Sequence, residues 1–125
     1  MAAPSGVVSL EEKFAAFDQK WSPKVIGEFN DMQLKAVKVE GDFVWHTHEE
    51  TDEFFLVRSG RLTIHMADRE DVIIGPGEFF IVPRGVEHCP SAEEESEVLL
   101  IEPAGVINTG EGQGSDLTAA QDEWI

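Results

Sequence analysis

From Val25 onward, apolar and polar positions mostly alternate in short runs broken by turn residues, the period-2 signature of half-buried strands. Val25–Phe29 reads as a strand closed by an Asn30-Asp31 turn. Gln33–Val39 alternates but changes phase between Leu34/Ala36 and Val37/Val39, which predicts a bulge. Glu40-Gly41-Asp42 predicts a second turn, and Phe43–His48 the strand after it. Asp52–Arg58 and Arg61–Met66, separated by Ser59-Gly60, predict a hairpin. Its register would place Glu53, Phe55, Val57, Leu62, Ile64 and Met66 on one face, and Phe54, Leu56, Thr63 and His65 on the other. Ala67–Asp71 reads as a charged turn, followed by short strands at Val72–Ile74, Phe79–Val82, Val86–Pro90 and Val98–Ile101, with Glu93-Glu94-Glu95 as a solvated loop. Before all this, Ser9 and Glu12 have capping-box spacing, and Leu10, Phe14 and Phe17 share a helical face. A short helix covering one end of a barrel or sandwich follows, ended by Trp21-Ser22-Pro23. Many short strands, regular turns and one helix predict an all-β barrel or sandwich.

The chain has 125 residues, of which 42% are hydrophobic, enough for one domain with a core of its own. Three parts are expected: an arm and helix over 1–24, a barrel over 25–103, and a tail over 104–125 packed on the barrel. The formal net charge of −16, from 25 acidic and 9 basic residues, makes nucleic acid and anionic lipid poor partners. No apolar run reaches the length of a membrane span. Met1–Gly6 lacks a basic region followed by an apolar one, so no signal peptide is expected. The single cysteine, Cys89, excludes an intrachain disulfide and fits a reducing compartment, so a cytoplasmic protein is expected.

The chemistry concentrates at His46-Thr47-His48. Histidines two apart on a strand point to the same face and can converge on one ion. Glu53, five positions after His48, can join them only if the chain turns, and Glu49–Asp52 is polar enough to do so. His88, after a Pro-x-Gly turn, is a third candidate that spacing alone cannot bring to His46. His65 falls on the face opposite Glu53 and is excluded. Cys89 should face away from His88 as a small buried apolar residue. Phe55, Ile64 and Met66 share the Glu53 face and are read as an apolar pocket wall, with plain core packing an equal alternative. Trp45 should point outward.

Gly41–Gly60 resembles the first motif of the cupin family, with His46, His48, Glu53 and Gly60 at the family's spacing. Gly77–His88 resembles the second, with Gly77, Pro83, Gly85 and His88 in step. Two departures are the shorter gap between Gly41 and His46, and Ala92 where many cupins carry Asn. The resemblance, to small single-domain type 2 cupins of the mannose-6-phosphate-isomerase-like group, implies a double-stranded β-helix, or jelly roll. It further implies that His46, His48, Glu53 and His88 are the ligands of one divalent transition metal, and that the molecule is a homodimer. Three imidazoles and one carboxylate suit Fe, Mn, Co, Ni, Cu or Zn, and leave positions open on the ion. The expected function is binding or turnover of a small organic molecule, by dioxygenase, isomerase or lyase chemistry; a non-catalytic binding or sensing barrel is the alternative.

Overall fold

The computed structural model describes residues 6–110, 118–119 and 123–125. Among the described residues one helix and seven strands follow in order: α1 (Leu10–Ala15), β1 (Lys24–Phe29), β2 (Met32–Asp42), β3 (Glu53–Ser59), β4 (Leu62–Met66), β5 (Arg69–Ile74), β6 (Phe79–Val82) and β7 (His88–Pro103). The strands run β1-β2-β7-β3-β6, with β4 also on β7 and β5 beyond β4, and every pairing is antiparallel. This is an all-β jelly roll with one short helix.

The central strand is β7. Along one edge it carries β2, from Met32 opposite Pro103 to Asp42 opposite Ser91. Along the other it carries β3 on its C-terminal half (Phe55 opposite Leu100) and β4 on its N-terminal half (Ile64 opposite Pro90). Ser59-Gly60 is therefore not a hairpin turn. The chain keeps its direction through it, and β3 and β4 form one bent ribbon along β7. The predicted faces survive this correction, because Glu53, Phe55, Val57, Leu62, Ile64 and Met66 are all buried. The parity of the inward residues changes at the corner, where the β3–β7 register shifts between Val57 and Ser59. Gly60 makes the corner possible. Its φ is 87°, and a Cβ there would lie 2.1 Å from the Ser96 hydroxyl. That hydroxyl accepts from the Arg61 amide at 3.0 Å, tying this corner to the bend in β7.

There are two tight hairpins among the described strands: β1–β2 pairs Phe29 with Met32 across the expected Asn30-Asp31 turn, and β4–β5 pairs Met66 with Arg69 across Ala67-Asp68. The second turn has no glycine or asparagine to advertise it. Two other boundaries also differ from expectation. β2 runs on through Gly41 to Asp42, with the irregularity between Val39 and Gly41, so Glu40–Asp42 is not a separating turn. Phe43–His48 is extended but makes only an isolated bridge, His46 to His88. The acidic run Glu93–Glu95 is exposed but lies inside β7, where Val39 opposite Ser96 gives way to Gly41 opposite Ala92. The run is the outward bend of one long strand.

No bulge is needed within Gln33–Val39, because both faces of β2 are covered. Val37 and Val39 join Phe55, Val57, Leu62, Ile64, Val98 and Leu100 in the barrel core. Leu34 and Ala36 face outward and meet Phe14, Phe17 and Ile26. α1 thus packs on the outer face of the sheet and not over a barrel end. Its start is set by Ser9, whose hydroxyl accepts from the Glu12 amide at 3.2 Å. The C-terminal residues are stitched to β1: Val25 donates to the Glu123 carbonyl, and Ile125 donates back to Val25. Part of the expected tail, residues 111–117 and 120–122, lies outside the described residues.

Candidate metal centre

Four side chains from three separate segments meet inside the barrel. His46 and His48 come from the extended segment after β2, Glu53 opens β3, and His88 opens β7. Their ligand atoms all lie within 4.8 Å of one another, and all four residues are buried. The two histidine segments are locked by a reciprocal pair of backbone bonds, His46 amide to His88 carbonyl and the reverse, each 2.9 Å. The His48 carbonyl accepts from the Gly85 amide at 2.8 Å, which fixes the second motif's turn against the first. This is the closure that linear spacing could not supply for His88.

The ring orientations are set from behind. The Nδ1 atoms of His46 and His88 lie 2.9 Å from the carbonyls of Val44 and Val86, two residues earlier in each case. A carbonyl only accepts, so Nδ1 carries the proton and Nε2 of the neutral ring faces inward with its lone pair. Those Nε2 atoms aim at one oxygen. Glu53 Oε1 lies 3.0 Å from His88 Nε2, 3.2 Å from His48 Nε2 and 3.9 Å from His46 Nε2. Burial alone would push the Glu53 carboxyl up. In the metal-free site, hydrogen bonds from the imidazoles, which need a proton on an Nε2, outweigh burial and hold it well below the usual carboxylate range. Inward lone pairs beside a carboxylate repel one another unless a proton or a cation lies among them. The donor set therefore fits a divalent ion, and its nitrogen-rich composition suits a first-row transition metal better than calcium or magnesium.

Beside the cluster is a cavity of about 30 Å³, room for only one or two waters. His46, Glu53 and Phe55 line it, with Trp21, Phe43 and Asn108. Phe55 thus stands where the sequence placed it. Ile64 and Met66 are instead buried in the barrel core and are not part of this wall. Sequence reasoning missed Trp21, Phe43 and Asn108. Trp21 stacks on Phe43 at 4.7 Å between ring centroids, and Phe43 meets His46 edge-on at 5.3 Å. Asn108 reaches in from beyond β7 and donates to the Trp21 carbonyl at 3.0 Å. No local signal marks Trp21 and Asn108, which come from distant segments, and strand alternation assigns Phe43 to the face opposite His46. The excluded residues behave as expected. His65 bonds to Asp71 and Ser91 on the outer face, Trp45 is exposed, and Cys89 is buried away from the cluster with its thiol pushed up by burial.

A profile of the cupin domain matches residues 34–102, more than half of the chain. The chain belongs to the cupin family. Among solved structures, this cupin is similar to a cupin-2 domain containing protein from Shewanella frigidimarina, at 49% identity with a TM-score of 0.75, covering 78% of this chain and 94% of that one. It is 30% identical over 79 residues to the uncharacterized protein YdbB of Bacillus subtilis, a match spanning 63% of this chain and 64% of that relative, less than two thirds of its length. It also shares the fold of hydroquinone 1,2-dioxygenase from Sphingomonas, solved in complex with 4-nitrophenol, at 21% identity with a TM-score of 0.72, covering 82% of this chain and 35% of that one. At that identity the likeness concerns the fold alone.

Proposed function

We propose that this cupin holds one divalent first-row transition metal through His46, His48, Glu53 and His88, and that it acts there on a small organic molecule. The observation that carries this reading is the convergence of four buried ligand residues, with the Nε2 lone pairs of His46 and His88 turned inward. A structural metal site closes its coordination with protein atoms; four donors on an ion that accepts five or six leave room for a ligand. The ion, when bound, supplies Lewis acidity to a ligand's oxygen atoms or a route to dioxygen.

The chain's own residues do the rest. Val44 and Val86 hold the imidazoles in the correct tautomer through their carbonyls. Phe55, Val98 and Leu100 exclude water on one side of the cluster, and Trp21 with Phe43 covers it on another. The size of the cavity favours a small ligand, or one whose entry shifts Trp21 and Asn108. Dioxygenase, isomerase and lyase reactions all fit an oxygen-rich ligand at such a site. The dioxygenase branch draws on the fold neighbour that carries 4-nitrophenol.

The test is elemental analysis of untagged protein at neutral pH, followed by oxygen uptake with iron-loaded protein and enediol or hydroquinone substrates. One equivalent of metal per chain is expected. Surface-bound ions on a chain of charge −16 wash off at high salt, whereas an ion at the buried cluster stays. A wash that strips all metal from the native protein sinks the reading.

A further inference from the structure

One side of the cavity beside the cluster differs from the rest. Of the described residues that line it, only Pro23 and Asn108 are partly exposed, and all the others are buried. Pro23 lies two residues from Trp21, and Asn108 bonds to the Trp21 carbonyl, so the way out to solvent runs past Trp21. Trp21, Pro23 and Asn108 also lie outside every helix and strand, whereas most of the wall is built from β2, β3, β4 and β7. Irregular segments open at lower cost than the interior of a sheet.

Trp21 is held there under strain. Among the described residues, two besides glycines have left-handed backbone: Asn30, with a φ of 52° in a tight turn, and Trp21, with a φ of 59°. Asparagine tolerates that conformation, but a bulky side chain in it is an outlier that persists only where its surroundings dictate it. Four contacts do so. The Trp21 amide donates to the Lys38 carbonyl at 2.8 Å, and the indole Nε1 to the Glu40 carbonyl at 3.0 Å. The ring stacks on Phe43, and the Trp21 carbonyl accepts from Asn108 Nδ2 at 3.0 Å. Asn108 is held in turn, because its Oδ1 accepts from the Ala119 amide at 2.9 Å. Core packing accounts for the Phe43 stack; it does not account for a strained backbone tied to a side chain beyond β7. Resting on the metal reading above, we propose that Trp21 is the specificity-determining residue of the site, a ring latched by Asn108 across the passage to the metal. The space of about 30 Å³ behind the closed ring takes a ligand no larger than one or two waters. A larger organic ligand enters when the Asn108 bond releases and the ring swings out, which also relieves the left-handed backbone.

The test uses the full chain loaded with cobalt(II), whose visible spectrum reports ligand binding, and two probes. Azide matches the closed cavity, and 4-nitrocatechol exceeds it. Wild type is expected to bind azide faster. Asn108→Ala removes the latch and leaves the ring; it is expected to speed 4-nitrocatechol association by about ten-fold, the worth of one hydrogen bond, and to change azide by less than about two-fold. Trp21→Gly suits the left-handed backbone and is expected to erase the difference between the probes. A second readout needs no metal. Exchange of the Trp21 indole N–H, followed by NMR and assigned by its loss in Trp21→Gly, should quicken by about ten-fold in Asn108→Ala, while that of the exposed Trp45 stays constant. Equal acceleration of both probes, no acceleration of 4-nitrocatechol, or unchanged indole exchange overturns the proposal while the metal reading stands. Wild type that takes up no cobalt overturns the metal reading itself, and this proposal with it.

Discussion

His65 and His88 lie on neighbouring strands, one residue out of step: His65 pairs with Cys89, and Met66 with His88. His65 faces outward with its side chain 37% exposed, and its ring nitrogens bond to Asp71 and Ser91. His88 is wholly buried and faces Glu53. The residue type is the same, and the sheet face alone separates a solvated surface contact from a candidate ligand. The same division applies to charge. Lys20–Glu95 on the outside is a partly exposed pair with full access to water, and Lys35–Glu102 on the inside is not. What the barrel interior adds is convergence and desolvation, which turn ordinary side chains into donors with fixed direction.

The largest expected effect tests that division directly. Replacing His46 and His48 together with Ala abolishes stoichiometric metal, and His65→Ala leaves it intact; elemental analysis reads both. Loss of metal in His65→Ala would break the comparison. Acid should act the same way. Imidazole must be neutral to ligate, so occupancy falls on acidification. An occupancy flat from neutral to acid pH would argue against nitrogen ligation.

Next in size is the buried pair. Lys35→Met alone should destabilise by about 3–5 kcal/mol at alkaline pH, where Glu102 is left ionised and unpaired. Lys35→Met/Glu102→Leu should be neutral or more stable, by up to about 4 kcal/mol, in denaturant titrations. The pH dependence sharpens this. Glu102 is raised from the ordinary 4.5 to about 7 in the folded protein, so it favours the protonated fold. Its contribution to stability declines as pH rises from 4.5 towards 7 and is fully lost above that. Glu53 has the opposite sign, since its carboxyl is depressed: its contribution is present above the ordinary carboxylate value and lost on acidification. Glu102→Gln should flatten only the first slope in thermal melts of the metal-free protein.

Smaller effects come from the scaffold. Gly60→Ala meets both a φ of 87° and the Ser96 hydroxyl, and should lower stability by about 1–3 kcal/mol, read in urea. His65→Ala should shift stability by less than about 1 kcal/mol, as an outer-face pair in water does.

The strand faces, the helix cap and the histidine pair were legible because each depends on neighbours within a few residues. Period-2 alternation, carried across the hairpin expected at Ser59-Gly60, placed Phe55, Val57, Leu62 and Ile64 on one face, and all four are buried. It could not tell a hairpin from a bent ribbon, because a turn at Ser59-Gly60 and a corner there give the same faces. The choice was made by β7, which starts only at His88 and pairs with both β3 and β4. The turn read at Ala67–Asp71 narrows in the structure to Ala67-Asp68, because neither residue carries a φ preference strong enough to mark a two-residue loop.

By itself, then, the sequence determined that His46 and His48 share a face and which residues of β3 and β4 point inward, since chain geometry is local. Tertiary structure alone decided that His88 reaches His46, that Trp21 and Asn108 wall the cavity, and that Lys35 and Glu102 are buried as a pair. Those contacts join segments tens of residues apart, and only closure of the barrel brings them within bonding distance.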